Sequence, residues 1–382
     1  MRFLHTSDWH LGRSFGGASL HDEQAAFADE FVAMVAAERA GLVVLAGDVY
    51  DRAVPPADAV ALFRKTLQRV RETGARVVVI AGNHDGADRV AAYDGLTDLA
   101  GVYVRGGYER AADVIALTFE DGPLDVVAVP FLDPLLARPT DDADAPRPTH
   151  ASVLAAVLDA ARSRCTAPRS LAVAHAFVAG AAASDSERAL SVGGTDQVPV
   201  SLFDGFSYTA LGHLHRPQTV GARVHYPGSP LPYSFSEAHP KRVLAVDMDA
   251  AGAVTVRALA VTAGRPVVTL AGTLDDLLRE PAHAAFLEHR VRAIVTDPGV
   301  VVDAKARLRE RFAHIVEIEL RPERADGTSG PVEGSAAARR GLGPMASATA
   351  FWRDVVGDDP TAEEQSVLRS ALAHAGAMED AS

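Results

Sequence analysis

The sequence has almost no cysteine, no long apolar run and fewer basic than acidic residues, and each of these excludes a class of protein. Its 382 residues include a single cysteine, Cys165. Neither a disulfide framework nor a cysteine-based zinc site can therefore form within the chain. Any metal ion must be held by His, Asp, Glu or Asn side chains.

The distribution of apolar residues and charge limits the surroundings in which we expect the protein. No window contains the roughly 18 consecutive apolar residues that a membrane-spanning helix needs, and residues 1–10 lack the basic and apolar stretches of a secretory signal. We therefore expect a cytoplasmic protein without membrane contact. The formal net charge of −13 argues against a free-standing nucleic-acid-binding protein, although bound metal dications would change the charge locally.

The first 130 residues have the pattern of strands connected by crossover helices in an α/β sheet, because short apolar runs alternate with amphipathic stretches. This alternation weakens after residue 207, where we expect antiparallel pairing. Strands are predicted at 2–6, 42–46, 76–81, 170–177 and 207–212, helices at 22–39, 57–72 and 150–163, and a hairpin at 241–260 with its turn near 249–252.

The last third divides into smaller pieces. Residues 264–320 have the pattern of a compact β-α-β-α-β unit, whose first helix is capped by Thr273 and Asp276. A Gly/Ser/Pro-rich stretch follows, and two amphipathic helical segments at 347–356 and 362–374 come after it. The predicted domains are 1–262, 263–322, a flexible linker at 323–346, and a helical segment at 347–376.

Polar side chains follow five predicted strands at the point where each strand ends. Ligands of open α/β sheets gather at the carboxyl ends of strands, so we expect these side chains to converge. Oxygen and imidazole donors without a thiolate suit Mn²⁺, Fe²⁺ or Zn²⁺ better than Ca²⁺ or Mg²⁺, and manganese is our first choice. The candidate ligands are Asp8, His10, Asp48, Asn83, His175, His213 and His215.

Two features of this set favour a two-metal site over a chance pattern. Asp48 is the candidate for a carboxylate that bridges two ions. Gly47, Gly82 and Gly212 stand directly before candidate ligands, where the absent Cβ lets the backbone pass close to the metals. A single DxH or GNH motif recurs by chance, and an isolated His near a strand end is usually structural. Five such elements in order are improbable as coincidence.

The ordered set DxH…GD…GNHD…H…GHxH, over residues 8–215, resembles the calcineurin-like metallophosphoesterase superfamily. Three longer segments are similar to the SbcD family of bacterial nuclease subunits, relatives of the meiotic-recombination nuclease. They are HTSDWHLGR at 5–13, GDVYDRAVPP at 47–56 and YPGSPLPYSFSE at 226–237. The resemblance implies a β-sandwich flanked by helices, a small α/β capping domain and a C-terminal helical segment. It also implies phosphodiester hydrolysis with two divalent metal ions.

The resemblance also implies a role for each residue. Asp8, His10, Asp48 and His215 would hold one metal, and Asp48, Asn83, His175 and His213 the other. His84 would contact the phosphate and act as a general acid. Asp85 would either hydrogen-bond His84 and fix its tautomer or be a solvated turn carboxylate. Asp51 stands where archaeal and eukaryotic relatives carry a second active-site histidine, so that function is open here.

The resemblance finally implies partners. The chain would cleave DNA ends and hairpins in repair, recombination and replication, as part of a homodimer within a heterotetramer, near the nucleoid. Its C-terminal helices would bind the coiled-coil base of an SbcC-type ATPase, through the apolar side chains of Phe351, Trp352, Val355, Leu368 and Leu372. These helices could instead fold back on the core. The segment GDVYDR at 47–52 also resembles protein phosphatases, so a stand-alone phosphatase or phosphodiesterase remains an alternative. A non-catalytic scaffold subunit is a further alternative.

Overall fold

The structure, a computed structural model, describes residues 1–137, 147–187, 197–298, 301–322, 343–356 and 358–379. The chain divides into an N-terminal unit, Met1–Arg265, and a C-terminal unit, Pro266–Ser382. Within the described ranges, we find no helix with the length and hydrophobicity needed to cross a membrane.

The N-terminal unit contains sixteen strands and five α-helices in its described ranges. Its strands are β1 (Arg2–Thr6), β2 (Ser14–Phe15), β3 (Ala18–Ser19), β4 (Leu42–Ala46), β5 (Arg76–Ile80), β6 (Val102–Arg105), β7 (Val114–Phe119), β8 (Gly122–Val129), β9 (Ser170–His175), β10 (Phe177–Val178), β11 (Gln197–Val198), β12 (Tyr208–Gly212), β13 (Gln218–Val220), β14 (Val224–Tyr226), β15 (Arg242–Met248) and β16 (Val254–Ala260). Its helices are α1 (His21–Glu38), α2 (Ala57–Glu72), α3 (Ala87–Val90), α4 (Asp94–Leu99) and α5 (His150–Arg162).

Two six-stranded mixed sheets form the centre of this unit. One has the order β16-β15-β1-β4-β5-β6, in which β1, β4, β5 and β6 run parallel. The other has the order β13-β14-β12-β9-β8-β7, in which β8, β9, β12 and β14 run parallel. Antiparallel hairpins extend each sheet to its edge: β15 with β16, β13 with β14, and β7 with β8.

The sheets pack face to face, and helices cover their outer faces. Phe3, Val44 and Val78 of the first sheet meet Val126 and Val173 of the second in a fully buried layer. Helices α1 and α2 pack against the outer side of the first sheet, and α5 against that of the second. Strands buried on both faces are continuously apolar, which is why β4 reads LVVLA. The predicted α/β fold, a sandwich flanked by helices, is confirmed.

Most predicted elements agree with the structure to within two residues, but two regions differ. The run predicted as a strand at 170–177 is interrupted after His175, and β10 begins a separate two-stranded sheet. The crossover pattern predicted for the first 130 residues also fails near its end. There β7 and β8 form a hairpin whose turn uses Gly122 at φ 117°.

The C-terminal unit contains a three-stranded parallel sheet, β17 (Val267–Gly272), β18 (Arg290–Val295) and β19 (Ile315–Leu320), with helices α6 (Leu274–Arg279) and α7 (Ala304–Arg311). The predicted cap of α6 is present as a reciprocal pair of hydrogen bonds between Thr273 and Asp276. Two further helices, α8 (Pro344–Val356) and α9 (Ala362–Glu379), pack against each other. Most of the predicted linker, 323–342, lies outside the described residues, and α8 begins inside its predicted end because Pro344 suits a first helical turn.

Candidate metal centre

The five strand ends that carry the candidate ligands meet at one end of the sandwich. Strands β1, β4 and β5 are parallel neighbours in one sheet, and β9 and β12 are parallel neighbours in the other, with Gly212 paired to His175. Strand β4 packs against both β9 and β12 across the sandwich. The loops that follow these strands therefore face one another, as the sequence predicted.

The candidate ligands of the first metal point their donor atoms at a common space. One donor atom each from Asp8, His10 and His215 lies within 4.8 Å of the other two. The Nε2 atoms of His10 and His215 face each other at 3.1 Å. All three side chains are buried.

Asp48 stands between the two groups of ligands. Its Oδ2 atom is 3.5 Å from Nε2 of His10 and 3.4 Å from Nε2 of His175. On the far side, Oδ1 of Asn83 lies 2.9 Å from Nε2 of His175 and 3.2 Å from Nδ1 of His213. The structure thus brings all seven predicted ligands together, with Asp48 in the position that a bridging carboxylate would need.

The backbone is strained at these ligands. Asp8, His10, Asp48 and His213 have φ values of 55°, 44°, 48° and 99°, a region that favours glycine and disfavours side chains with a Cβ. Among the described residues, only Arg39 and Asp303 are other non-glycine residues at positive φ. Strain of this kind persists where the surrounding structure imposes it and clusters at functional sites.

The glycines predicted to support the site occupy positions that exclude a side chain. A Cβ at Gly47 would overlap the ring of His175, one at Gly82 would overlap the carboxylate of Asp48, and one at Gly212 would overlap a carbonyl of β4. These residues therefore let the loops approach the ligands closely, as expected from the sequence.

The charges of the cluster fit a pair of cations. Burial lowers the pKa of His10 well below its usual value and that of His213 to about 3, so both imidazoles are neutral and can offer lone pairs. Burial opposes the charge of Asp48, but His175 holds the pKa of this carboxyl well below its usual range. Burial would also lower the pKa of His175, yet Asp48 raises it to about 9. A positive charge beside the Asp48 carboxylate is therefore stabilised in this centre.

The hydrogen bonds of the cluster agree with this interpretation. Nδ1 of His10 is buried and has no hydrogen-bond partner in the described part of the chain. Two imidazole nitrogens that face each other at 3.1 Å, as in His10 and His215, need a proton or a cation between them. The residues present thus fit a pair of divalent ions bound through oxygen and nitrogen.

His84 lies at the edge of the cluster, with its ring centroid 4.7 Å from that of His10. Its Nδ1 is 2.9 Å from the backbone carbonyl oxygen of Asp51. A carbonyl oxygen can only accept, so Nδ1 carries the proton and Nε2 is the atom available for chemistry. The Asp51 carboxylate instead accepts from Nη1 of Arg13 at 3.0 Å and lies 3.7 Å from Nδ1 of His10.

Asp85 differs from both interpretations that the sequence allowed. Its carboxylate accepts three backbone N–H groups, from Val49 at 3.0 Å, Tyr50 at 2.9 Å and Gly82 at 2.9 Å. No hydrogen bond to His84 is present among those of the described residues, because the His84 ring is held by Asp51 instead. Asp85 therefore joins the loop after β4 to the loop after β5.

Three polar residues near His215 were not predicted. Glu237 is 1% exposed and its Oε1 lies 3.2 Å from Nδ1 of His215. Ser186 Oγ is 2.6 Å from the same nitrogen, and the Glu187 carboxylate accepts the backbone N–H of His215 at 2.7 Å. The acidic residue that ends YPGSPLPYSFSE was the available signal for Glu237, whereas no pattern marked Ser186 or Glu187.

The apolar residues predicted to bind a partner lie on α8 and α9. Phe351 is 57% exposed, while Trp352, Leu368 and Leu372 are partly buried. The side chain of Val355 lies outside the part of the chain that the structure describes.

Comparison with known proteins places the chain in a family. Residues 1–136 match the calcineurin-like phosphoesterase family. The SbcD component of the nuclease SbcCD from Bacillus subtilis (strain 168) is 38% identical over 288 residues, covering 70% of this chain and 71% of the relative. The SbcD component of the same nuclease from Escherichia coli (strain K12) is 32% identical over 336 residues, covering 84% of this chain and 81% of the relative.

Among solved structures, a dimetal phosphatase from Danio rerio aligns with 69% of this chain and 99% of its own length, at 13% identity and a TM-score of 0.40. The sequence relatives are more similar, and they match most of both chains. Together with the buried cluster of His and Asp donors, they make the chain a metal-dependent phosphodiesterase. It belongs to the SbcD family of calcineurin-like phosphoesterases.

Proposed function

We propose that this chain is the Mn²⁺-dependent nuclease subunit of an SbcCD-type complex. The observation that carries the proposal is the convergence of seven oxygen and nitrogen donors beside His84 at one end of the sandwich. Its relatives, which are named as components of the nuclease SbcCD, support a nucleic acid as the substrate, and the substrate we propose is DNA. Manganese is favoured because the donor set combines carboxylate and imidazole without thiolate.

Each metal would have four protein ligands, with Asp48 shared. When bound, two ions would activate the attacking water and stabilise negative charge on the phosphoryl oxygens. The first metal would be held by Asp8, His10, Asp48 and His215, and the second by Asp48, Asn83, His175 and His213.

His84 is the proposed general acid. Because its Nδ1–H donates to the Asp51 carbonyl, an imidazolium at this position carries its second proton on Nε2. That proton would pass to the leaving oxygen as the P–O bond breaks. The backbone N–H of His84 also donates to Oδ1 of Asp48 at 2.9 Å, which holds the acid beside the metal ligands.

The remaining modules would serve DNA substrates. We assign 3′–5′ exonuclease activity on duplex ends and endonuclease activity on single strands and hairpins. Residues 263–322 would present DNA to the metals, and the helices within 347–376 would bind an SbcC-type ATPase with a coiled coil. The chain has a net charge of −13, which disfavours binding to DNA phosphates, so the partner ATPase would contribute part of the DNA-binding surface. We propose a homodimer of this chain within the complex.

The test is cleavage of linear duplex and hairpin DNA by the purified protein with Mn²⁺, with and without the partner ATPase. The His84→Gln protein is the control, together with a small phosphodiester whose phenolate leaving group needs no proton. We expect His84→Gln to lose DNA cleavage far more than cleavage of the small phosphodiester, because only the DNA leaving oxygen requires an acid.

The alternatives predict different results. A stand-alone phosphatase would hydrolyse the small phosphoester and leave DNA untouched, which would refute the nuclease proposal. A non-catalytic scaffold subunit would cleave neither substrate while still binding the partner. Loss of both activities to the same extent in His84→Gln would refute its function as an acid.

A further inference from the structure

A buried carboxylate outside the predicted ligand set lies directly behind His215. Glu237 ends a short 3₁₀ helix, Phe235–Glu237, and is 1% exposed. Its Oε1 lies 3.2 Å from Nδ1 of His215, and its Oε2 accepts from Ser229 Oγ at 2.9 Å. Ser186 Oγ and Lys241 Nζ also donate to this carboxylate. Three donors besides the imidazole therefore fix the carboxylate in one position.

From this arrangement we propose that Glu237 is a positioning residue that holds the His215 ring with Nε2 turned toward the metal centre. A carboxylate can only accept, and the Ser186 hydroxyl, 2.6 Å from the same Nδ1, uses its own proton to donate to that carboxylate. Both contacts therefore put the ring proton on Nδ1 and leave the lone pair on Nε2. That nitrogen faces Nε2 of His10 at 3.1 Å. A carboxylate behind a ligating imidazole fixes its tautomer and raises its basicity as a ligand.

The other imidazoles of the cluster lack such a partner. Nδ1 of His175 contacts the backbone carbonyl oxygen of Ala46 at 2.9 Å, which is uncharged. The Asp51 carboxylate lies 3.7 Å from Nδ1 of His10, beyond hydrogen-bond distance. Within the described ranges, Glu237 is thus the carboxylate that lies within hydrogen-bond distance of a candidate imidazole ligand on the side of the ring facing away from the other ligands. The inference rests on the proposed function, because it requires His215 to bind a metal.

A purely structural role for Glu237 must be separated from this one. Lys241 is 8% exposed, and Glu237 is its ionic partner. Glu237 could therefore serve only to neutralise a buried ammonium, and removing it alone would leave that charge unpaired. A loss of metal binding in a single variant could then reflect local unfolding.

Two variants and a control resolve this. Glu237→Gln keeps the shape of the side chain and removes its charge. The double variant Glu237→Leu with Lys241→Met removes the ion pair as a whole, a change that is often neutral for stability. Ser234→Ala is the matched control, because the Ser234 hydroxyl contacts Ser236 and no ligand of the centre. Thermal unfolding of the metal-free proteins checks that each variant is folded.

Metal binding is measured by calorimetry with Mn²⁺ and by the visible absorption spectrum of the Co²⁺-loaded protein, neither of which depends on turnover. We expect two sites in the wild-type and Ser234→Ala proteins. In the Glu237→Gln and double-variant proteins we expect one site to weaken about 10- to 100-fold, with a changed Co²⁺ spectrum, while the other site is retained.

Each outcome decides between the proposals. If the double variant recovers the wild-type Mn²⁺ affinity and Co²⁺ spectrum, Glu237 only balances Lys241 and the positioning role is wrong. Equal weakening of both sites in the folded variants would also contradict it, since Glu237 contacts His215 alone among the candidate ligands. A wild-type protein that binds no metal would instead overturn the proposed function, before any variant is considered.

Discussion

Replacing Asp85 with asparagine tests whether this carboxylate acts through the backbone or through the neighbouring histidine. The structure gives it three backbone N–H donors, two on Oδ2 and one on Oδ1. In Asp85→Asn the amide nitrogen replaces one oxygen, so one of these donors loses its acceptor and the remaining bonds become neutral. The change removes charge without removing side-chain volume.

The magnitude follows from these contacts. A hydrogen bond to a charged group contributes about 1.5–3 kcal/mol net, a neutral bond about 0.5–1.5 kcal/mol, and an unpaired buried donor costs about 1–3 kcal/mol. Burial and the neighbouring Asp48 raise the pKa of Asp85 to about 7, so removing its charge offsets part of this loss. The substitution should therefore lower the free energy of unfolding by about 1–3 kcal/mol, mainly through the donor left without an acceptor. Because Asp85 joins the loop of Asp48 to the loop of Asn83, Mn²⁺ affinity should fall as well.

The assay is denaturant unfolding of the metal-free protein, with Mn²⁺ titration of the folded protein alongside. Asp88→Asn is the control, because Asp88 is an exposed acid three residues further along the chain. A role through His84 would give a different pattern: normal stability and metal affinity, with DNA cleavage reduced as in His84→Gln. Wild-type stability and wild-type Mn²⁺ affinity in Asp85→Asn would refute the backbone role.

Three other predictions use different parts of the chain. Gly212→Ala should abolish or severely weaken metal binding because its Cβ overlaps a carbonyl of β4, whereas Gly95→Ala, with open space around it, should leave the Mn²⁺ titration unchanged. Asp121 pairs with the buried Arg169, which holds the pKa of this carboxyl well below its usual range. Its stabilising contribution is present above about pH 4 and lost at lower pH, so the stability difference between wild type and Asp121→Asn should shrink as pH falls from about 5 to 2; a difference that stays constant would contradict this. Deleting 347–382 should abolish co-purification with the partner ATPase and leave the metal content unchanged, and retained binding would disprove the docking proposal.

The sequence predicted that the candidate ligands would converge, because each follows a buried strand within a short motif. Asp8 and His10 come directly after β1, and His213 and His215 come directly after β12. Local patterns could not show that these strands belong to different sheets. The assignment of strands to sheets depends on pairings between distant segments, such as that of β1 with β15, which are about 240 residues apart. Hydrophobic periodicity carries no information about such pairings.

The residues around the ligands were harder to predict, because their contacts are not local. Glu237 reaches His215 from a segment between β14 and β15 that has no helical or strand periodicity. Asp85 is adjacent to His84 in sequence, and adjacency suggested a contact between them. In the structure, the His84 ring instead donates a hydrogen bond to a backbone carbonyl oxygen. The Asp85 carboxylate accepts hydrogen bonds from backbone N–H groups of two loops.

The strained backbone at the ligands explains why the motifs have their particular composition. Asp, Asn and His adopt positive φ more readily than other non-glycine residues, which suits Asp8, His10 and Asp48. His10 and His213 hold that conformation because rigid strands precede them and the glycines admit close loop approach. The donor atoms are thus placed by the fold itself, so that metal binding needs little rearrangement of the loops. A site organised in this way is sensitive to its supports, which is why Asp85, Gly212 and Glu237 offer sharper tests than the ligands do.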